Sequence, residues 1–280
     1  MNVTSWEIDD FLTTGKRVKR WLIDPSRERW LFKEPEVEGE RIAEFLAYKL
    51  GTELFDLEIP ETKLADFNGT KGIIVKSFLS EGEEKYSLEE AIDFFGPEFD
   101  ADDLSMYQLE TALSICEKYN CVSEFIQMSI FDYVIANQDR HCENWGFLTS
   151  VNTRDKKFSP IYDNGSSLMC GYDEQQIKSM LSDNRRFEAY NRKSRSIFTV
   201  HGNKKCKNEI FMKELIKYDL IKFKECFSRF ERHTYDTLKM EISSYLHGVA
   251  TDNRVDILSK MISLRISTLK IWILEGEELC

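Results

Sequence analysis

Apolar residues change their spacing along this chain: short alternating runs dominate the first part, and positions three or four apart dominate the rest. Val18–Ile23 and Arg29–Lys33 read as two short strands joined by a turn at Asp24-Pro25-Ser26, where proline pre-sets the backbone. Ile42, Ala43, Leu46, Ala47 and Leu50 then recur at helical spacing, so Glu40–Leu50 is predicted to be a helix with Gly51 in the C-cap position. Thr62–Phe67 and Gly72–Phe78 follow as strands around Asn68-Gly69, a strong hairpin signal. The order is β-β-α-β-β.

After a charged connection at Glu81–Lys85 the pattern becomes helical. Ser87–Phe95, Asp103–Tyr119 and Val122–Ile135 are predicted helices, and Gly146–Thr149 and Phe158–Ile161 are the two strand-like pieces in this part. From Arg185 to Lys207 the chain is polar and basic. Helices return at Ile210–Arg229, Thr234–Leu246 and Asp252–Glu275. No internal repeat occurs. The expected architecture is α+β: a small β-rich lobe over residues 1–82 and a larger, mainly helical lobe over 83–280.

Composition narrows the class. Of the 280 residues 42% are hydrophobic, which supports a sizeable core, and the net charge of -11 argues against a broad basic surface for nucleic acid. Seven cysteines form no Cys-x-x-Cys pair, the N-terminus is acidic, and no run reaches membrane-spanning length. The expectation is a soluble cytoplasmic protein with free thiols and no membrane or nucleic-acid partner.

The chemistry concentrates between Asp139 and Asp163. An apolar helix delivers the chain into Asn137-Gln138-Asp139-Arg140-His141-Cys142-Glu143-Asn144, followed by a strand-like Trp145–Leu148 and then Pro160-Ile161-Tyr162-Asp163-Asn164-Gly165. Phosphoryl transfer needs a carboxylate beside the attacking hydroxyl and oxygen ligands that hold Mg²⁺ against the phosphates. Asp139 can supply the first; Asn144 and Asp163 can supply the second. Each residue alone has an ordinary explanation: a surface ion pair for Asp139-Arg140, a tight turn for Asp163-Asn164-Gly165, a structural imidazole for His141. Their joint order is harder to explain that way.

These segments resemble the catalytic and metal-binding segments of the HipA-like serine/threonine kinases, and the Asp-Arg-His-x-x-Asn and Asp-x-Gly forms are similar to the phosphatidylinositol kinases. The resemblance implies a two-lobed kinase fold using ATP and Mg²⁺, with Asp139 acting on the substrate hydroxyl and Asn144 and Asp163 holding the metal. His141 matches the family's histidine in this loop; orienting Asp139 and contacting phosphate both stay open as its role. Trp30–Pro35 resembles the strand ending in the ATP-phosphate lysine, here Lys33, whose point charge suits that task. Glu40 matches the acidic residue that could pair with Lys33, and Glu44, one turn on, is the rival. By position, Val75–Phe78 would be the hinge whose backbone holds adenine, with Val75 and Phe78 at its ends. Gly15 and Lys16, in Thr13–Arg17, would cover phosphates, although one glycine and a following arginine make no Walker A sequence.

The resemblance further implies a short form without the N-terminal subdomain of full-length HipA proteins. Its implied acceptor is a serine or threonine of a protein, and an antitoxin-like partner is a possible companion. The basic residues from Arg185 to Lys207 fall where a substrate-binding segment would lie, and Ser194 and Ser196 there are candidate self-phosphorylation sites. Rival readings are a phosphoinositide or small-molecule kinase and a non-catalytic, toxin-like nucleotide-binding regulator. A zinc site is disfavoured, since Cys142 and His141 are adjacent with no second pair, and no Gly-x-Ser-x-Gly elbow occurs.

Overall fold

The computed structural model describes residues 1–9, 19–79 and 85–278. Strands β1 (Glu7–Asp9), β2 (Lys19–Ile23), β3 (Arg29–Lys33), β4 (Thr62–Phe67) and β5 (Thr70–Lys76) form an antiparallel sheet in the order β1-β2-β3-β5-β4. Register follows the alternation of the sequence, with Phe32 opposite Ile74 and Leu31 opposite Val75. Leu22, Trp30, Phe32, Phe67 and Ile74 cluster with Val3 on one face, which leaves Lys33 on the other. The Asn68-Gly69 hairpin forms with φ of 53° and 83°, the two positive values that a tight primed turn demands. β1 escaped the sequence reading because three residues are too few to show alternation.

Between β3 and β4 lies helix α1 (Glu38–Lys49), which buries Ile42, Ala43, Leu46 and Ala47 in the larger core. It does not stop at Gly51. The chain runs on through a wide π-helical turn, Leu50–Leu54, and a Cβ on Gly51 would lie 2.0 Å from the Ile59 Cδ1. That glycine permits close packing rather than a left-handed cap.

The second part departs from expectation at its start. Ser87–Phe95 is not a helix: Tyr86–Glu90 is strand β6, followed by a 3-10 turn at Ala91–Phe94. Leu88 pairs with Leu148 of β7 (Gly146–Ser150), and β8 (Lys156–Phe158) completes a three-stranded sheet. A short apolar run read without its partner strand is ambiguous between the two periods. Residues 103–108 are turns in which the Asp103 carboxylate accepts from the Ser105 N–H at 3.0 Å, so α2 begins only at Leu109 and runs to Lys118.

Helix α3 (Val122–Val134) is buried on nearly every side, as its apolar sequence requires. Two helices were not foreseen, α4 (Glu174–Ser182) and α5 (Asn184–Arg192). Asp173 and Gln176 form a reciprocal capping box for α4, and Asp183 caps α5, which buries little beyond Phe187. The expected single helix Ile210–Arg229 is two, α6 (Asn208–Tyr218) and α7 (Leu220–Glu231). The break is at Asp219, whose carboxylate accepts from the Lys222 N–H. Helices α8 (Tyr235–Tyr245) and α9 (Asp252–Glu278) complete the chain, with α9 packed against α4, α6, α7 and α8. The result is a mixed α+β fold with small sheets and a larger helical part. Among the described residues no helix is long and apolar enough to cross a membrane.

Candidate active site

Helix α3 ends beside the loop that carries Asp139. Ala136 takes a positive φ of 59° and turns the chain, and the Asn137 N–H returns to the Asp132 carbonyl at 2.8 Å. Arg140 organises the loop beyond this turn. Its guanidinium is 3% exposed and donates from Nε and Nη2 to the two Asp132 oxygens at 2.9 and 2.8 Å. Nη1 donates to the Asn144 carbonyl at 2.8 Å and also to the Tyr162 carbonyl, while Nη2 reaches the Asn164 Oδ1 at 2.7 Å. One buried cation thus joins the end of α3, the Asp139 loop and the segment bearing Asp163. From the far side Trp145 Nε1 donates to the Tyr107 hydroxyl at 2.7 Å, which donates to the Arg140 carbonyl at 3.0 Å.

Within this frame Asp139 and Asn144 are tied together. The Asn144 Nδ2 donates to the Asp139 carbonyl at 2.8 Å, which leaves its carboxamide oxygen as the atom suited to a cation. The Asp139 N–H donates to Asn137 Oδ1 at 3.1 Å, and its carboxylate accepts from the Ser166 hydroxyl at a long 3.4 Å. Ser167 is committed elsewhere, donating to the Asn164 carbonyl at 2.6 Å.

Asp163 sits at a left-handed φ of 58°, a strained setting for an aspartate that turns its carboxylate toward the sheet. There Lys33 Nζ lies 2.8 Å from Asp163 Oδ1, an ion pair between residues 130 positions apart. The Lys33 charge holds the Asp163 carboxyl well below the usual carboxylate range, against the opposing effect of burial. Glu44 lies beside them, 5% exposed; burial pushes its carboxyl up, Lys33 counters that, and the charge of Asp163 adds to it. Glu40 accepts from the Glu36 N–H at 2.9 Å, so part of its capacity closes the loop before α1. Lys33, Glu40, Glu44 and Asp163 line an open cleft of about 380 Å³, together with Lys19 and Ile73.

The other expected residues among those described do not line this cleft. Val75 is buried in β5 opposite Leu31, and Phe78 stacks on Tyr162 with centroids 5.6 Å apart. His141 turns its Nδ1 toward the Glu143 N–H at 3.4 Å, and the Glu143 carboxylate is 3.6 Å away. Gly15 and Lys16 lie outside the described residues. Ser194 and Ser196 are 5% and 9% exposed, so neither is presented as an acceptor. The basic stretch is partly helical: α5 carries Arg185, Arg186 and Arg192, and farther on Lys204 pairs with Asp103 at 2.6 Å.

Sequence reasoning gave Arg140 no separate task, weighing only a surface ion pair with Asp139, and assigned no role to Asp132 or Ser166. The missed signal was Asp132, an acid in a mostly apolar helix, since a buried carboxylate demands a partner. Among the described residues no group of three His, Cys, Asp or Glu side chains could cage a metal ion. The Asn144 carboxamide oxygen and the Asp163 carboxylate are hard oxygen donors, of the kind Mg²⁺ takes alongside waters and phosphate oxygens.

Residues 11–240 match the family model of the HipA-like C-terminal domain. The serine/threonine-protein kinase CtkA of Helicobacter pylori is 37% identical over 59 residues, a stretch that spans 21% of this chain and 18% of that relative. The crystal structure of the Helicobacter pylori proinflammatory kinase CtkA superposes with a TM-score of 0.79 at 21% identity, covering 100% of this chain and 98% of that one. HipA of Shewanella oneidensis MR-1, solved with HipB and operator DNA, gives a TM-score of 0.58 at 12% identity, covering 90% of this chain and 60% of that one.

Proposed function

The chain belongs to the HipA-like C-terminal domain family, and on that premise we propose that it is a kinase transferring the γ-phosphate of ATP, with Mg²⁺, to a serine or threonine hydroxyl of a protein. The observation that carries this reading is the Lys33–Asp163 ion pair in the cleft beside the Asp139–Asn144 hydrogen bond. A cation, two oxygen ligands and a carboxylate within hydrogen-bond reach of a hydroxyl are the parts phosphoryl transfer needs.

Each residue then has a separate task. Asp139 orients the acceptor hydroxyl and takes its proton, in the place where Ser166 now donates. Lys33 exchanges part of its hold on Asp163 for the phosphates and neutralises charge developing there. Asn144 and Asp163 would hold Mg²⁺, which would supply positive charge against the phosphates. Arg140 touches no reactant and fixes the spacing between these groups. Lys33, with Glu44 and the hinge Val75–Phe78, belongs to an ATP-binding lobe over residues 1–82, and 83–280 form the catalytic lobe.

The same reading extends to partners and place. The name of the CtkA relative supports a protein hydroxyl over a lipid one. HipA occurs with HipB in the Shewanella complex, which supports a protein regulator of the antitoxin type here. Buried, unbridged thiols at Cys116, Cys121, Cys142, Cys206 and Cys226 favour a reducing cytoplasm. The acceptor class is tested by incubating the protein with labelled ATP and Mg²⁺ in the presence of mixed proteins and of phosphoinositide vesicles. Label on serine or threonine of protein is the expected result; label in the lipid extract alone would favour the phosphoinositide reading.

A further inference from the structure

Behind the Asp139 loop lies a second, small and partly open cavity, which shares no lining residue with the Lys33–Asp163 cleft. Its wall is built from α3, the loop, residues 196–198 and the start of α6. Two of its lining residues reach solvent, Gln138 and, in part, Ile197. Gln138 directly precedes Asp139, so the open side of the cavity belongs to the same loop as the residue assigned to the acceptor hydroxyl.

The interior carries unused hydrogen-bonding capacity. Ser129 is 3% exposed and Asn208 4%, and neither the Ser129 Oγ nor the Asn208 Nδ2 has a partner among the described residues. Buried polar atoms are ordinarily paired, so two in the lining of one cavity mark a place for a ligand group. Nδ2 is a donor and requires an acceptor; the hydroxyl can serve either way. The only charged lining groups, Asp132 and Arg140, neutralise each other, so an added charge would find no counter-ion. Phe198, Phe211 and Met212 are buried apolar walls that limit size.

We propose that this cavity receives a small, uncharged, hydrogen-bonding side chain of the protein substrate, close in sequence to the phosphorylated residue. The proposal rests on the kinase reading above and adds to it a specificity pocket formed by Ser129 and Asn208. A hydroxyl or carboxamide side chain satisfies both atoms; a charged one is rejected by desolvation, and an alanine leaves them unpaired.

The test is a degenerate peptide library around a fixed serine or threonine, phosphorylated by the wild-type protein, Ser129→Ala and Asn208→Ala. Wild type is expected to enrich Ser, Thr, Asn or Gln at one flanking position. Ser129→Ala removes an unpaired hydroxyl and so should fold with an unchanged Tm. It should lower kcat/KM for the best peptide by about 3- to 10-fold, the value of one neutral hydrogen bond, while KM for ATP and kcat/KM for the alanine-substituted peptide stay put. Asn208→Ala should act in the same direction. An identical flanking preference in all three proteins would overturn the proposal. So would a peptide complex in which one ordered water fills the cavity and the peptide runs elsewhere. If wild type phosphorylates no peptide and no protein, the kinase reading itself fails, which is a different result from a kinase without this preference.

Discussion

Arg140 and Asp132 meet in a buried fork-to-fork ion pair, Nε and Nη2 facing the two carboxylate oxygens at 2.9 and 2.8 Å. A pair so enclosed adds little stability by its formation but costs much when one partner is lost. Its use here is geometric, because the remaining Arg140 donor sites fix the Asn144 and Tyr162 carbonyls and the Asn164 side chain.

Arg140→Ala is therefore expected to destabilise by about 3–5 kcal/mol, since it strands the Asp132 charge in the core. Arg140→Lys keeps the charge but lacks the planar fork, so it should fold better than the alanine variant yet still lose most phosphoryl transfer. Denaturant unfolding and turnover, measured together, separate the two effects.

The Lys33–Asp163 pair sets a pH dependence with a definite sign. Lys33 lowers the Asp163 carboxyl in the folded protein. The pair's contribution is thus complete above the unfolded aspartate value of about 3.9 and fades as pH falls below it. The Tm difference between wild type and Asp163→Asn should be steady from pH 5 upward and shrink below about pH 4. Glu44 runs the other way: burial raises its carboxyl, so its contribution worsens as pH rises through the ordinary glutamate range, and Glu44→Gln should remove that opposing trend.

Two glycines hold the site's elements close. A Cβ on Gly39 would lie 2.0 Å from the Cys170 carbonyl oxygen, a backbone atom that cannot step aside. On Gly165 it would meet the Glu44 Oε2 at 3.1 Å, the end of a side chain with some room to give. Gly39→Ala should cost about 1–3 kcal/mol or more, and Gly165→Ala visibly less, by equilibrium unfolding.

The local chemistry was legible where residues lie close in sequence. Asp139 and Asn144 share one loop, the short β7–β8 hairpin separates them from Asp163, and Lys33 ends a strand that the sequence pattern predicts, though its candidate role came from the family resemblance. Contacts between distant segments were not legible. The one nearby sign that Arg140 would be buried was Asp132 in the preceding helix, while its other acceptors include residues of the Asp163 segment. Ser87–Phe95 was read as helix for a similar reason: the strand character of its first four residues comes from pairing with β7, some 60 residues away. The α5 helix was missed because its residues are mostly exposed and charged, so it lacks the apolar stripe by which helices are recognised.

The proposed metal-assisted phosphoryl transfer by Asp139 and Asp163 is put to the test with labelled ATP. Wild type, Asp139→Ala and Asp163→Ala are each incubated with labelled ATP, Mg²⁺ and a mixed protein acceptor, with folding checked by circular dichroism. Wild type is expected to incorporate label, and each folded variant to lose at least about 100-fold of that incorporation. Equal incorporation by all three proteins would contradict it.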